Sequence, residues 1–301
     1  MTKRLIASVL VVIALLLCAS CGGSSSGSKN NYVASVQRSE ENIFEVYNGG
    51  YKLVSCGTKY KADETFVIPA QYEGKNVVAI GNSAFSGFSS LKSVEIPDTV
   101  VEIDKRAFEN CSSLNNVVIP DSVSVIRGAA FTNCSSLTNI TFGSGIKDIE
   151  GECFKGCTAL SEFTVPVTVS EIRGNCFEGC SSLKKIVFHD GVTSIHGYAF
   201  KNCSALESVN LPSGITEIRG NTFENCTSLK SISVPEGVTR IAAHAFRGCS
   251  ALSSVYVPAS VTEIGSSAFR DCSQLKNIEI PKKASVDERA FKDSPTQIKY
   301  K

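Results

Sequence analysis

Apolar residues return along this chain at a spacing of 23, well beyond the period of about 3.6 of one helix or about 2 of one strand. Phe stands at 85, 108, 131, 154, 177, 200, 223, 246 and 269, and again at 291. Ala or Cys precedes nearly every Phe. Cys stands three residues later, at 111, 134, 157, 180, 203, 226, 249 and 272, and Leu six later, from Leu91 to Leu275. Apolar pairs at plus 9 and plus 11 follow, as in Val94/Ile96, Val117/Ile119 and Ile186/Phe188, and Pro usually comes next. Val or Ile at plus 15 and plus 18 closes the unit, as in Val100/Ile103 and Val238/Ile241.

Each column has a physical reading. The plus 9 and plus 11 pair alternates like a short strand with one face inward. Pro after it has no N–H for a ladder and ends that strand. A second extended stretch carries the closing Val and Ile columns, and Ala-Phe falls on a short helical or turn segment. Two residues after Phe stands Gly87, Asn110, Asn133, Gly156, Gly179, Asn202, Asn225, Gly248 or Asp271, residue types that tolerate a left-handed backbone. One such coil cannot bury its inward residues alone. Stacked neighbours can, and the result is a quasi-one-dimensional core that needs a cap at each end.

The motif Ala107-Phe108-Glu109-Asn110-Cys111-Ser112-Ser113-Leu114, then Val117, Ile119-Pro120, Val123 and Ile126, resembles the BspA-like, or Treponema-type, leucine-rich repeat. The resemblance implies an α/β, β-rich solenoid of about nine 23-residue coils over residues 80–292. Tyr72 to Ile80 resembles that family's entry coil, which makes 42–79 an N-terminal cap with Val67-Ile68-Pro69 as its strand. The pattern breaks at Ser294 and Pro295, so 293–301 is expected to be a C-terminal cap, with no second domain after it. Relatives of this type attach to host matrix proteins, other bacteria or epithelial cells, and an adhesin-like role is the expectation that follows.

The columns at plus 8 and plus 10 alternate outward with the core pair and form the candidate ligand face. Asn116, Val118, Glu162, Lys185, Val187, Asn210 and Tyr256 are its candidate contact residues. Small polar groups with occasional apolar spots suit adaptable hydrogen bonding to a protein or a glycan. Beside the plus 18 Ile runs a second column, Arg127, Glu150, Arg173, His196 and Arg219, each followed by Gly. It predicts a tight turn repeated five times, with alternating charges pairing from coil to coil to hold register.

The first residues change the picture of where this solenoid works. Lys3-Arg4 precedes an apolar run from Leu5 to Leu17 broken only by Ser8, long enough for an export signal and short of the ~20 residues of a spanning helix. Ala19-Ser20-Cys21 resembles a bacterial lipobox, departing from it at Cys18, where such motifs usually carry Leu. That resemblance implies a signal peptide over 1–20, lipidation of Cys21 and a cell-envelope, outer-membrane location facing outward. Gly22 to Asn31 has no apolar group to offset chain entropy, and residues 21–41 read as a flexible tether. An ordinary secretory signal is the alternative. A glycan- or peptide-capturing uptake lipoprotein, or a periplasmic scaffold, are the alternative functions.

Composition narrows the partners. A chain 43% hydrophobic and 20% charged is a folding one. Its net charge of +1 provides no basic surface for nucleic acid. A monomer is expected. Thirteen cysteines in an exported chain invite disulfides, yet stacked cysteines about 4.7–4.9 Å apart with parallel Cα–Cβ vectors miss bridge geometry. Buried free thiols are the expectation, with a disulfide or a zinc site left open at Cys153, Cys157, Cys176 and Cys180. Asn110 and Asn202 head formal glycosylation triplets that follow from the repeat itself. His189, His196 and His244 lie in variable columns with no repeating partner, and no phosphate loop, dinucleotide glycine pattern or HExxH occurs. No catalytic residue, cofactor or metal is expected.

Overall fold

The computed structural model describes residues 37–38 and 42–301. The expected signal peptide, Cys21 and the Gly/Ser stretch lie outside them. The described residues belong to one compact unit. It is a β-solenoid of about eleven turns, the nine expected coils plus a turn in each cap. The coils run strand, turn, strand, turn, except the coil of Phe200, whose first strand does not form and which keeps only Glu217–Ile218. Among the described residues the one helix is a 3-10 segment, Thr58–Ala62, and the Ala-Phe segments are turns.

Two parallel ladders form from the predicted strands. The front ladder stacks the segments around the inward pair, for example Thr65–Val67, Ser93–Glu95, Asn116–Ile119 and Asn139–Phe142. The rear ladder stacks two-residue strands such as Glu102–Ile103, Val125–Ile126 and Asp148–Ile149. An antiparallel hairpin, Asn42–Tyr47 with Gly50–Cys56, caps the rear ladder through Lys75–Ile80. Gln37–Arg38 already pairs with that hairpin, ahead of residue 42. At the other end Gln297–Tyr300 pairs with Asn277–Ile280.

The core is the phenylalanine column. Consecutive rings from Phe85 to Phe291 stack with centroids 5.0–5.8 Å apart and planes within 17° of parallel. Burying each ring contributes about 1.5–3 kcal/mol relative to exposure, as does each buried Leu, Ile and Val of the columns around it. A third ladder holds the turn side. The Phe131 N–H donates to the Cys153 carbonyl of the next coil (2.9 Å), and the Asn133 N–H to Lys155 (2.7 Å). The plus 2 column is left-handed throughout, as at Asn110 (φ 61°) and Gly156 (φ 72°).

The glycines after the charged column do something other than expected. Gly128, Gly151, Gly174, Gly197 and Gly220 are not left-handed. The residue after each one is, with φ of 57–64° at Ala129, Glu152, Asn175, Tyr198 and Asn221. The glycines give room where the coils approach most closely. A Cβ on Gly151 would stand 2.9 Å from the Gly174 carbonyl, and one on Gly197 2.9 Å from that of Gly220. That carbonyl accepts the N–H of the left-handed residue, as in Ala129 to Gly151 (3.0 Å).

The strand ladders are not continuous. Both break between the coil of Phe131 and the coil of Phe154, where Asn139–Phe142 does not pair with Glu162–Thr164 nor Asp148–Ile149 with Glu171–Ile172. Both break again between the coils of Phe177 and Phe200. The turn-side ladder crosses both junctions intact, with Phe177 N–H to Ala199 O at 2.9 Å. The coil before each junction carries Phe at plus 11 and lacks the following Pro: Phe142-Gly143 and Phe188-His189. Phe142 lies edge-on to Phe154 of the next coil (6.4 Å) and Phe188 edge-on to Phe200 (6.2 Å). A ring where other coils place Ile, Val or Leu wedges the strand sides apart while the turn sides stay bonded. The front ladder alone has two further gaps, one where the coil of Phe200 forms no front strand to pair with Ser231–Ser233 and one between Ser254–Tyr256 and Asn277–Ile280.

Candidate ligand-binding face

All seven candidate contact residues lie exposed, and the residues alternating with them on the strands are largely buried. Asn116 accepts the Asn139 side-chain N–H across the ladder (3.1 Å), and Val118 beside it is 56% exposed. Glu162 and Lys185 are direct ladder partners, and Val187 pairs with Thr164. The face these residues occupy is divided, not one sheet. Asn210 stands in a coil that forms no front strand, and Tyr256 borders the gap before Asn277–Ile280. The Tyr256 hydroxyl donates to Glu236 (2.6 Å) and the Lys301 ammonium sits 4.9 Å from its ring centre. The Glu236 hydrogen bond, then partial desolvation, raise the Tyr256 pKa. Its hydroxyl is therefore engaged within the protein and one ring face carries Lys301, while the side chain stays 46% exposed.

The junction at Phe142 went unread in the sequence. It opens a cleft of about 650 Å³ between Asn139–Ser144 and Glu162–Thr168. Phe142 and Phe163 meet edge-on in it (5.6 Å), and Val167 at its lip is 81% exposed. The signal that could have located it was the paired departure at plus 11 and plus 12.

The charge column is also rearranged. Arg127 pairs across coils with Glu150 (3.0 Å) and back to Glu102 (2.9 Å), and these bonds raise its pKa. Glu150 also accepts the Gly128 N–H (2.9 Å). Beyond the first junction the expected Glu150–Arg173 pair is replaced by Arg173 with Asp148 (3.4 Å) and Glu171 (2.9 Å). His196 donates from Nε2 to Glu171 (3.2 Å) while Arg219 donates to its Nδ1 (3.3 Å). His189 is used the same way, with Nε2 on the Val169 carbonyl (3.0 Å) and Nδ1 accepting from Gly191 (3.1 Å). These imidazoles hold turns.

All eleven described cysteines are free and buried. Each plus 3 thiol donates to the Phe carbonyl of the preceding coil, as Cys134 to Phe108 and Cys180 to Phe154, both at 3.1 Å. Ser294 takes the same place in the last coil, its hydroxyl 2.7 Å from the Phe269 carbonyl. Burial pushes the thiol pKa values up, to about 12 at Cys111 and Cys176. Thiolate chemistry is suppressed in this column.

A model of the BspA-type leucine-rich repeat region, six copies long, matches residues 64–184 and 170–297. A leucine-rich cell surface protein from Faecalibacterium prausnitzii A2-165 is similar in structure, with 26% identity, a TM-score of 0.62, and 85% of this chain and 86% of that one covered. The pneumococcal vaccine antigen PcpA is similar in fold, with 18% identity, a TM-score of 0.58, and 90% and 89% covered. Comparison with curated proteins returns no match.

Proposed function

Because the chain belongs to the BspA-type leucine-rich repeat family, we propose that it is a lipid-anchored cell-envelope protein that binds other proteins through its front face, in the manner of an adhesin. The observation that carries this reading is the period-two alternation of the front strands, which leaves Asn116, Val118, Glu162, Lys185 and Val187 in solvent. Stacked repeats present such a face over a length that one domain surface cannot match. Glycan capture fits less well, since Tyr256, the one aromatic group among the candidate contacts, is already engaged by Glu236 and Lys301. The resemblance of Ala19-Ser20-Cys21 to a lipobox supports the anchor, and the cell-surface relative supports an outward-facing location.

Binding of the full chain to an array of matrix proteins, bacterial surface proteins and glycans tests the reading. Saturable binding to a protein, lost in a variant with Val118, Lys185 and Val187 all changed to Asp, is expected. Binding to glycans alone overturns it. Metabolic labelling with an alkynyl fatty acid tests the anchor, which requires label on the wild type and none on Cys21→Ser. Protease shaving of intact cells tests location, and resistance until lysis rules out an adhesin.

A further inference from the structure

The cleft at the first junction is lined by two strand edges that have lost each other. Asn139–Phe142 is paired on its other side with Asn116–Ile119, and Glu162–Thr164 on its other side with Lys185–Val187. Among the described residues no backbone hydrogen bond joins 138–143 to 161–166. Equivalent coils show which groups are left over. Asn139 N–H donates back to Asn115 and Lys185 N–H back to Ser161, both at 3.4 Å, and Gly143 N–H to Ile119 at 2.7 Å. Strand amides alternate in direction, so Glu162 and Thr164, in the coil between, aim their N–H groups at the gap with no carbonyl to receive them.

We propose that this cleft binds an extended segment of a partner polypeptide, taken up as an added strand between the two lips; this rests on the protein-binding reading above. Three features select that occupant. Unmet donors and acceptors at strand spacing are matched by another peptide backbone, which offers both at the same repeat. The facing edges, Asn139–Phe142 and Glu162–Thr164, are three to four residues long, which matches an extended segment of about four residues at about 3.3 Å per residue. The lining is apolar at Ile140, Phe142 and Phe163 and carries one charge, the carboxylate of Glu162, with no basic group. The segment is therefore apolar at alternate positions and neutral or basic between them.

Thr164→Pro separates this site from any other. It deletes an N–H that has no partner in the free protein, on a ladder edge where Pro is tolerated, and it leaves the bond from Val165 N–H to Val187 intact. A phage-displayed random heptapeptide library is panned against the full chain and against Thr164→Pro, both checked by melting temperature. Peptides of the stated pattern are expected to be enriched on the wild type. In fluorescence anisotropy they should lose at least tenfold in affinity for Thr164→Pro, and again when alternate peptide nitrogens are methylated. Equal binding to both proteins, indifference to methylation, or no enrichment overturns the cleft as a strand site. Self-association of the wild type that Thr164→Pro abolishes also overturns it, by assigning the edges to a second copy. If the array detects protein binding that Thr164→Pro leaves unchanged, the front-face reading survives and the cleft proposal does not.

Discussion

Replacing Glu150 with Lys probes what holds the coils in register on the rear side. Glu150 has two partners, Arg127 and the backbone N–H of Gly128. The ion pair is partly solvated, with side chains 41% and 27% exposed, so it contributes about 0.5 kcal/mol. The Gly128 N–H is half-buried, and leaving it unmet costs about 1 kcal/mol, the lower end for a stranded donor. A Lys beside Arg127 adds like-charge repulsion of about 0.5 kcal/mol. The total of about 2 kcal/mol corresponds to a fall in Tm of about 4–8 °C if the array unfolds as a unit. Glu150→Gln separates the contributions. It keeps an acceptor for Gly128 and loses the charge, so its Tm should fall by about 1–2 °C, and about 1 M salt should erase that difference. Calorimetry on the full chain reads both variants. A Lys variant that melts with the wild type, or a Gln variant that melts as low as the Lys variant, refutes the two-partner account.

Phe142→Ile restores the residue type found in intact coils and should close the first junction. Hydrogen exchange at the amides of Glu162 and Thr164 is then expected to slow by about 2–10-fold, the worth of one ladder bond, and unchanged exchange refutes the wedge. The buried thiols should stay unlabelled by maleimide at about pH 7.5 and react fully in about 6 M guanidinium. Mass spectrometry finding prompt label at Cys157 or Cys180 in the folded chain would contradict their burial. Burial alone would push the carboxyl of Glu224 up, but its bonds to Lys201 and Asn221 outweigh that and hold its pKa below the ordinary value of about 4.5. Its contribution is therefore complete above about pH 4.5 and lost as pH falls through the depressed value, so the Tm gap between wild type and Glu224→Gln should narrow on acidification. A gap that widens instead has the sign wrong.

Periodicity was enough to specify the coil. Spacing alone assigns Phe, Cys, Leu and Ile to the interior, the plus 2 Gly, Asn or Asp to the left-handed region, and the front-face residues to solvent, because each depends on local alternation and on identical neighbours one repeat away. Stacking decided what depends on contacts between particular coils. Ala129 and Tyr198 have nothing in their type that favours a left-handed backbone, and they adopt one because the next coil's glycine carbonyl receives their N–H. In the charged column Arg127 pairs with Glu150 and Arg219 with His196, while Arg173, across the first wedge, turns to Asp148 and Glu171 instead of Glu150. The cleft itself arises where two rings, Phe142 and Phe154, compete for space that a smaller side chain shares, and only the packed neighbours set that outcome.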